Sequence, residues 1–285
     1  MRAQNECFCC NIRQAQEAAQ IAGADSARIW KISKEVCKTY AEADPNWTPA
    51  YMTTIAHVIT QKMTGEQDIF FELKRKYNKL ALDLYPRLKN FVEKSNTPLE
   101  NAIRVAIAGN IIDLGVYTEV GIDEILHQVE GDHEWGIFDF HDFKSDLERS
   151  QKIVYIGDNA GEVVFDKIFL EVIKKNREIV FIVKEGPISN DAVLEDAKET
   201  GVDSLVEVLT TGQAEIGFVP ENAPPRVRDY WEEADLIISK GQGNFETLSS
   251  RNNNIYFLLK AKCLPVAREL NVKQGALVLK KGRMT

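Results

Sequence analysis

The sequence predicts an α/β protein, with an all-helical N-terminal half and a second half built on a parallel sheet with helices on both faces. In the first half, apolar residues recur at helical spacing. In the second half, short apolar runs alternate with amphipathic stretches, as in β-α-β units. The change of pattern near residue 150 predicts a helical domain at 1–150, with a link between the halves at 131–150, and an α/β domain at 151–285.

The first half contains four predicted helices and the start of a fifth. Pro86 is expected to end or kink the long fourth helix, because proline removes a hydrogen bond from a helix interior. At the fifth helix, Thr97 is the predicted cap, Pro98 lies in the first turn and Glu100 completes a capping box. The predicted helices are 11–22, 27–43, 48–62 and 66–93, with the fifth beginning after Thr97.

The second half contains five predicted strands, each a short and mostly apolar run. The helical stretches between them indicate right-handed crossovers. The predicted strands are 153–156, 179–183, 205–208, 236–239 and 255–259. Ligands of open α/β sheets bind beyond the carboxyl ends of the strands, so polar residues just after a strand are the first candidates for a functional site.

Composition and charge narrow the class of protein. With 44% hydrophobic and 27% charged residues, the chain resembles an ordinary soluble globular protein. A net charge of −8 argues against nucleic acids and membranes as partners. No apolar run approaches the roughly 20 residues of a membrane span, and no signal peptide is evident, which predicts a cytoplasmic location.

The segment after the first strand carries the strongest chemical signal. Asp158 and Asn159 offer hard oxygen ligands for a divalent cation, and Gly161 allows close backbone approach. The helix start at Glu162 favours a bound anion such as phosphate. The alternative interpretation of Asp158 and Asn159 is a helix cap, and on these residues alone both interpretations stay open.

Asp191 follows the second strand and is expected at the same edge of the sheet. A third oxygen ligand would complete the protein's share of an octahedral site and leave positions for water and a phosphate oxygen. Taken alone, Asp191 fits a helix cap better than a metal ligand. The presence of polar residues after two neighbouring strands favours metal binding.

A glycine-rich loop follows the fourth strand and runs from Lys240 to Glu246. Lys240, beside Gly241 and Gly243, can bring a positive charge and backbone N–H groups against a phosphate, and Asn244 adds a polar side chain. The loop lacks the spacing of the nucleotide-binding glycine motifs. An ordinary turn is the alternative.

Two further groups of residues fall outside these strand ends. Asn110 and Asp113 are three residues apart, so on a helix they share a face, which either contacts the substrate or marks a helix break. Cys7 and Cys10 form one CxxC motif, and Cys263 is a candidate to join them in space. A structural zinc site needs four ligands, so a second metal site and a structural role are both open for the cysteines.

Together these motifs resemble the damage-control phosphatases, a family long described as a domain of unknown function. The motifs that carry the resemblance are Gly109-Asn110-x-x-Asp113, Gly157-Asp158-Asn159-Ala-Gly-Glu162, Gly186-Pro187-x-x-Asn190-Asp191 and Lys240-Gly-x-Gly243-Asn244-Phe245-Glu246. The family includes a human acidic-residue methyltransferase-like member and the C-terminal domain of a pantothenate kinase paralogue. The N-terminal cysteines resemble the stand-alone prokaryotic branch, which implies an archaeal or bacterial source.

The resemblance implies a C-terminal Rossmann-like domain of three α/β/α layers, with the site between it and the helical domain. It implies a divalent metal (manganese, nickel, cobalt or magnesium) with Asp158, Asn159 and Asp191 as ligands. The implied reaction is hydrolysis of small phosphate monoesters, such as sugar phosphates or damaged phosphometabolites. Contacts with this small-molecule substrate are expected from Asn110, Asp113, Lys240, Gly243, Asn244 and Glu246.

The residues themselves suggest how hydrolysis would proceed. A metal would polarise a phosphoryl oxygen and lower the pKa of a bound water, while Lys240 and helix N-termini would offset the phosphate charge. Attack by Asp158 is the alternative to attack by water, and it is less favoured because a carboxylate that ligates a metal is a poorer nucleophile. Glu162 and Glu246 are candidates for proton transfer.

Two other functions compete with the phosphatase. The first is a carboxyl methyltransferase, suggested by the human relative and the Rossmann-like half. Gly157 and Gly161 flank Asp158 and Asn159 in a way that suits a cation better than an adenosine cofactor. The second is a non-catalytic protein that binds metals or phosphometabolites in the same crevice.

Overall fold

The computed structural model describes residues 1–109 and 135–282, and Asn110 and Asp113 lie outside them. In the described part, the helices are α1 (Asn5–Ile21), α2 (Ser26–Ala41), α3 (Pro49–Thr64), α4 (Phe71–Glu93), α5 (Pro98–Ala108), α6 (Phe140–Arg149), α7 (Glu162–Ile173), α8 (Leu194–Thr200), α9 (Pro225–Glu233), α10 (Gln242–Leu248) and α11 (Leu264–Leu270). The strands are β1 (Trp135–Phe138), β2 (Lys152–Ile156), β3 (Glu178–Val183), β4 (Glu207–Thr210), β5 (Leu236–Lys240), β6 (Ile255–Lys260) and β7 (Leu277–Lys281).

The strands form one mostly parallel sheet in the order β1-β7-β6-β5-β2-β3-β4. Strands β2 to β6 run parallel to one another, β7 is antiparallel to β6, and β1 is parallel to β7. The long parallel connections carry helices to both faces, which gives three layers. The predicted α/β class and the predicted mostly parallel sheet are confirmed.

All five predicted strands are present, with ends displaced by at most two residues. Two strands were missed: β1, at one edge of the sheet, and β7, which lies between β1 and β6. The described end of the expected link, residues 135–149, forms β1 and α6, and its role as a link between two domains stays a prediction. Neither missed strand is wholly buried, so neither forms the continuous apolar run that marks a central parallel strand.

The fourth helix begins at Phe71, five residues later than predicted, and ends at Glu93 as predicted. Helix α4 continues through Pro86 to Glu93, so the proline does not end it. Leu84 and Leu88, on either side of Pro86, are buried in the core, and this packing stabilises both halves of the helix. Thr97 precedes α5 as predicted, but its side chain makes no cap hydrogen bond.

The core has one layer on each face of the sheet and a third cluster among the first helices. Helices α4, α5 and α7 pack on one face, and α9, α10 and α11 pack on the other. Helices α1 to α3 share a separate cluster around Ile32, Val36 and Met52. Three helices of the N-terminal half, α4, α5 and α6, therefore share the core of the sheet, and the division into domains at residue 150 stays a prediction.

Among the described residues, no helix combines the length and the apolarity needed to cross a bilayer.

Candidate functional site

The predicted site residues gather where the direction of chain winding reverses. From β2 the chain passes through α7 to β3 on one side, whereas from β5 it passes through α10 to β6 on the other. Such a reversal opens a crevice beyond the carboxyl ends of the two strands. Asp158 lies just beyond the end of β2, and Gly241 directly follows β5.

Backbone pairing joins the loop after β2 to the loop after β3. Asn159 and Asp191 form an isolated antiparallel bridge. The amide of Ala160 donates to the carbonyl of Asn190 at 2.9 Å, and the amide of Ala192 donates to the carbonyl of Asp158 at 2.8 Å. The structure therefore brings together the three residues that the sequence analysis proposed as metal ligands.

Gly241 is required by the carboxylate of Asp158. A Cβ atom at position 241 would lie 1.9 Å from Oδ2 and 2.1 Å from Cγ of Asp158. Gly241 also has φ +77° and ψ 168°, a conformation essentially limited to glycine. The Asp158 carboxylate thus lies directly over the backbone at the start of α10.

The two aspartates are held where their ionised forms are disfavoured. Burial, followed by the nearby Glu162 and Asp191, raises the pKa of Asp158 well above its usual value, although Lys184 and Lys240 act in the opposite sense. Burial raises the pKa of Asp191 to about 6, and Lys184, whose Nζ lies 3.5 Å from Asp191 Oδ2, opposes the increase. A cation bound in the crevice would stabilise the ionised forms of both Asp158 and Asp191.

The donor set suits a hard divalent cation. Within the described residues, Oδ2 of the buried Asp191 accepts no hydrogen bond. Nδ2 of Asn159 donates to Asp158 Oδ2 at 2.8 Å and to Glu162 Oε2 at 3.2 Å, so its oxygen is turned away from these carboxylates. Over 1–109 and 135–282, no three His, Cys, Asp or Glu side chains form a metal-binding group, so a site here would depend on the amide and on water.

Lys240 lies behind this crevice rather than in it. Its fully buried Nζ donates to Glu162 Oε1 at 2.5 Å, to Asp166 Oδ1 at 2.6 Å and to the carbonyl of Ala106 at 2.8 Å. All three ammonium donors are used, so this arrangement leaves none for the predicted contact with a phosphate. Lys240 and Glu162 are placed to support the loop of Asp158.

The rest of the glycine-rich loop also packs inward. Nδ2 of Asn244 donates to the carbonyls of Gly157 at 3.0 Å and Lys240 at 2.8 Å, which ties the ends of β2 and β5 together. A Cβ atom at Gly243 would lie 2.8 Å from Cγ2 of Ile216, so this glycine permits close packing of the preceding loop. The expected contacts of Gly243 and Asn244 with a phosphate stay a prediction.

Comparisons with known proteins assign the family. Residues 3–278 match the damage-control phosphatase ARMT1-like domain. An uncharacterised protein of Methanocaldococcus jannaschii is 39% identical over 97% of this chain and 94% of its own length. A damage-control phosphatase of Pyrococcus horikoshii is 36% identical over 98% of this chain and 97% of its own length.

The chain belongs to the damage-control phosphatase family. A crystal structure of a DUF89 family protein from Pyrococcus horikoshii has a TM-score of 0.90 and 35% identity, covering 99% of this chain and 100% of that one. The resemblance drawn from the sequence motifs is thereby confirmed.

In this member of the family, a cleft separates the first helices from the site loops. Its volume is about 360 Å³, and it extends to Ser189 and Asn190 beside Asp191. Burial raises the pKa of Glu246 to about 7 and lowers the pKa of Lys262 to about 7, and both residues line the cleft. The cleft therefore offers one acid and one base that titrate near neutral pH.

Cys7, Cys10 and Cys263 line the same cleft. Burial is the largest influence on the thiols of Cys7 and Cys263 and raises the pKa of each, so both stay protonated near neutral pH. Metal ligation requires thiolates, so the environment gives Cys7 and Cys263 no special readiness to bind a metal. The proposed second metal site stays a prediction.

Sequence reasoning missed several residues around the site. Lys184, which pairs with Asp191, directly follows β3, and a lysine in that position was an available signal. Asp166, the second carboxylate on Lys240, is one turn after Glu162 on α7 and shares its face. The cleft residue Lys262 comes from the end of β6, and no local pattern marked it.

Proposed function

We propose that the chain is a metal-dependent phosphatase that hydrolyses small phosphate monoesters, such as sugar phosphates or damaged phosphometabolites. Its family supports a phosphatase role in metabolite repair. The observation that carries the metal requirement is the meeting of two carboxylates, the half-buried Asp158 and the buried Asp191, on loops joined by the Asn159–Asp191 bridge at the sheet reversal. A cytoplasmic location remains part of this proposal.

Asp158, Asn159 and Asp191 would hold the metal, for which manganese, nickel, cobalt and magnesium are the candidates. When bound, the metal supplies charge that stabilises the phosphoryl oxygens during hydrolysis. Glu162 accepts a hydrogen bond from Nδ2 of Asn159 and so holds that side chain. Lys240 neutralises the charges of Glu162 and Asp166. These supporting contacts keep the loop in one arrangement before the substrate binds.

Hydrolysis forms a bond from a water oxygen to phosphorus, breaks the ester P–O bond and releases an alcohol that must gain a proton. We assign the delivery of that proton to Glu246. Its carboxyl group lies in the cleft and is held by Gln242, whose Nε2 donates to Oε1 at 3.0 Å. With a pKa of about 7, this carboxyl group is partly protonated at neutral pH.

The Glu246→Gln variant tests this assignment with two leaving groups. We expect hydrolysis of an alkyl phosphate to fall by about 100-fold, whereas p-nitrophenyl phosphate, whose leaving group needs no proton, should be nearly unaffected. In the wild type, alkyl-ester activity should decline as the pH rises through about 7, and this decline should be absent in the variant. Equal losses on both esters, or a loss in the exposed control Glu148→Gln, would contradict the assignment.

Burial of Glu246 also has a consequence for stability. Its folded-state pKa of about 7 lies above its ordinary value of 4.5. As the pH rises between these values, the unfolded chain releases the proton first, so the contribution of Glu246 to folding stability falls. Urea denaturation at several pH values should show a smaller decline for Glu246→Gln across this range than for the wild type.

Metal restoration tests the proposed function directly. Chelator-stripped protein should not hydrolyse p-nitrophenyl phosphate, and one or two of manganese, nickel, cobalt and magnesium should restore activity when added singly. Full activity in the stripped protein would contradict a metal requirement. Binding of a methyl donor without metal would support the methyltransferase instead, and binding of phosphate esters without turnover would support a non-catalytic role.

Gly241→Ala should impair hydrolysis by displacing Asp158. The new Cβ would lie 1.9 Å from the Asp158 carboxylate, and a shift of about 1 Å in a reacting group can cost about 100-fold in rate. Gly65→Ala is the matched control, because Gly65 has φ +84° with nothing within 4 Å of its Cβ position. That control should lose only about 1–2 kcal/mol of stability. Equal kcat/KM values for the two folded variants would contradict this steric role.

A further inference from the structure

Asn78, in the middle of α4, contacts the loop of the proposed ligands Asp158 and Asn159. Its side chain is fully buried. Its Oδ1 accepts a 2.6 Å hydrogen bond from the amide of Gly161, at the end of that loop. The contact is steric as well, because a Cβ atom at Gly161 would lie 3.0 Å from Cβ of Tyr77.

The other end of the Asn78 amide leads to the loop of Asp191. Nδ2 donates to Asp196 Oδ1 at 2.9 Å and to Glu199 Oε2 at 2.8 Å. Asp196 is buried, and its Oδ2 accepts a 2.9 Å hydrogen bond from the amide of Val193, two residues after Asp191. A continuous chain of hydrogen bonds therefore runs from Gly161 through Asn78 and Asp196 to Val193.

The buried Lys74 lies next to this series of hydrogen bonds and is paired with its charged residue, Asp196. Nζ of Lys74 lies 2.7 Å from Asp68 Oδ2 and 3.9 Å from Asp196 Oδ2. Lys74 is one turn before Asn78 on α4, so both side chains reach the Asp196 region from the same helix. Burial raises the pKa of Asp196 above its ordinary value, and the Val193 amide and Lys74 oppose this increase. The Asp196 carboxyl group accepts hydrogen bonds from both Asn78 and Val193.

We propose that Asn78 is a positioning residue that holds the 158–161 and 190–193 loops together and thereby sets the affinity of the site for a divalent cation. The inference rests on the metal requirement in the proposed function. The two loops pair directly through the backbone amides of Ala160 and Ala192. The hydrogen bonds of Asn78 and Asp196 additionally connect both loops to α4. An amide suits this position because it accepts from a backbone N–H and donates to a carboxylate at the same time.

The test measures Mn²⁺ affinity rather than turnover. Full-length chelator-stripped protein is titrated with Mn²⁺, and free Mn²⁺ is followed by electron paramagnetic resonance. Asn78→Ala should raise the Kd by about 10- to 100-fold, the range typical for loss of a residue that supports metal ligands. Asn90→Ala, at an exposed position of the same helix, should leave the Kd unchanged.

A double exchange separates positioning from general packing. Asn78→Asp and Asp196→Asn each disrupt the pairing at the centre of the chain, and each should weaken Mn²⁺ binding. In the double variant Asn78→Asp/Asp196→Asn, the carboxylate introduced at position 78 accepts hydrogen bonds from the Gly161 amide and from the side-chain amide introduced at position 196. The side-chain oxygen at position 196 accepts the hydrogen bond from the Val193 amide. Glu199 is exposed and can turn to solvent. The double variant should therefore recover most of the lost affinity, and this comparison serves if Asn78→Ala does not fold.

The outcomes are distinct. If the variants lower the stability measured in urea but the folded proteins keep the wild-type Kd, the inference is overturned, because Asn78 then serves only the fold. Failure of the double exchange to recover affinity would also overturn it. Absence of Mn²⁺ binding by the wild type overturns this inference, whereas the metal requirement is overturned only by full hydrolytic activity of the chelator-stripped protein. Mn²⁺ binding without hydrolysis of any phosphate ester overturns the proposed function alone.

Discussion

Asp158→Ala is expected to remove nearly all metal-dependent hydrolysis while leaving the protein folded. Asp158 is the proposed ligand that lies over Gly241 at the sheet reversal. Its loss should cost more than the roughly 100-fold that is typical of residues that only support metal ligands. The fold should not weaken, because burial and neighbouring carboxylates already disfavour the ionised Asp158 side chain.

The measurements are kcat/KM with p-nitrophenyl phosphate over a range of metal concentrations and the urea midpoint of the metal-free protein. Asp203→Ala is the control, because Asp203 is exposed. Activity close to the wild type at the same metal concentrations would contradict the ligand assignment. An Asp158→Ala protein that is inactive but binds Mn²⁺ normally would indicate that Asp158 acts in the chemical step instead.

Lys240→Met should have the largest effect on stability. The substitution leaves Glu162 and Asp166 buried without their cation, and breaking a buried pair in this way typically costs about 3–5 kcal/mol. The pKa of Asp166, already raised to about 6 by burial, should rise further. The folded variant then binds protons that the unfolded chain has released. Its loss of unfolding free energy relative to the wild type should therefore become smaller as the pH falls from 7.5 to 5.

Urea denaturation at pH 7.5 and pH 5 checks this prediction, with the exposed Lys174→Met as the matched control. A deficit below about 1 kcal/mol, the range of exposed ion pairs, would contradict it. The KM of the folded variant is expected to stay near that of the wild type. A large increase in KM without loss of stability would instead support the contact between Lys240 and phosphate that was predicted from the sequence.

The elements that were predictable from the sequence are those with local signals. Polar residues after buried apolar runs located Asp158, Asn159 and Asp191 at one edge of the sheet, because the carboxyl ends of parallel strands share an edge. Strands β1 and β7 escaped detection because their burial is incomplete. Helix α4 continues through Pro86 because the packing of distant residues against α4 outweighs a local preference.

Partners of the site residues were harder to predict than the site residues themselves. Lys240 looked like a phosphate ligand because a lysine beside glycines is a local pattern, but its role depends on Glu162 and Asp166, more than seventy positions earlier. Asn78 is also far in sequence from Gly161 and Asp196. Such roles arise from tertiary packing, which single-sequence patterns do not encode.

The contact between Asp158 and Gly241 couples the evolution of two positions that are distant in the sequence. While an aspartate occupies position 158, selection can accept no side chain at 241, because the first added carbon would overlap the carboxylate. A descendant that loses the aspartate escapes the overlap and keeps only the unusual backbone conformation of Gly241. Across related sequences, substitution at 241 should therefore follow loss of the aspartate and should not precede it.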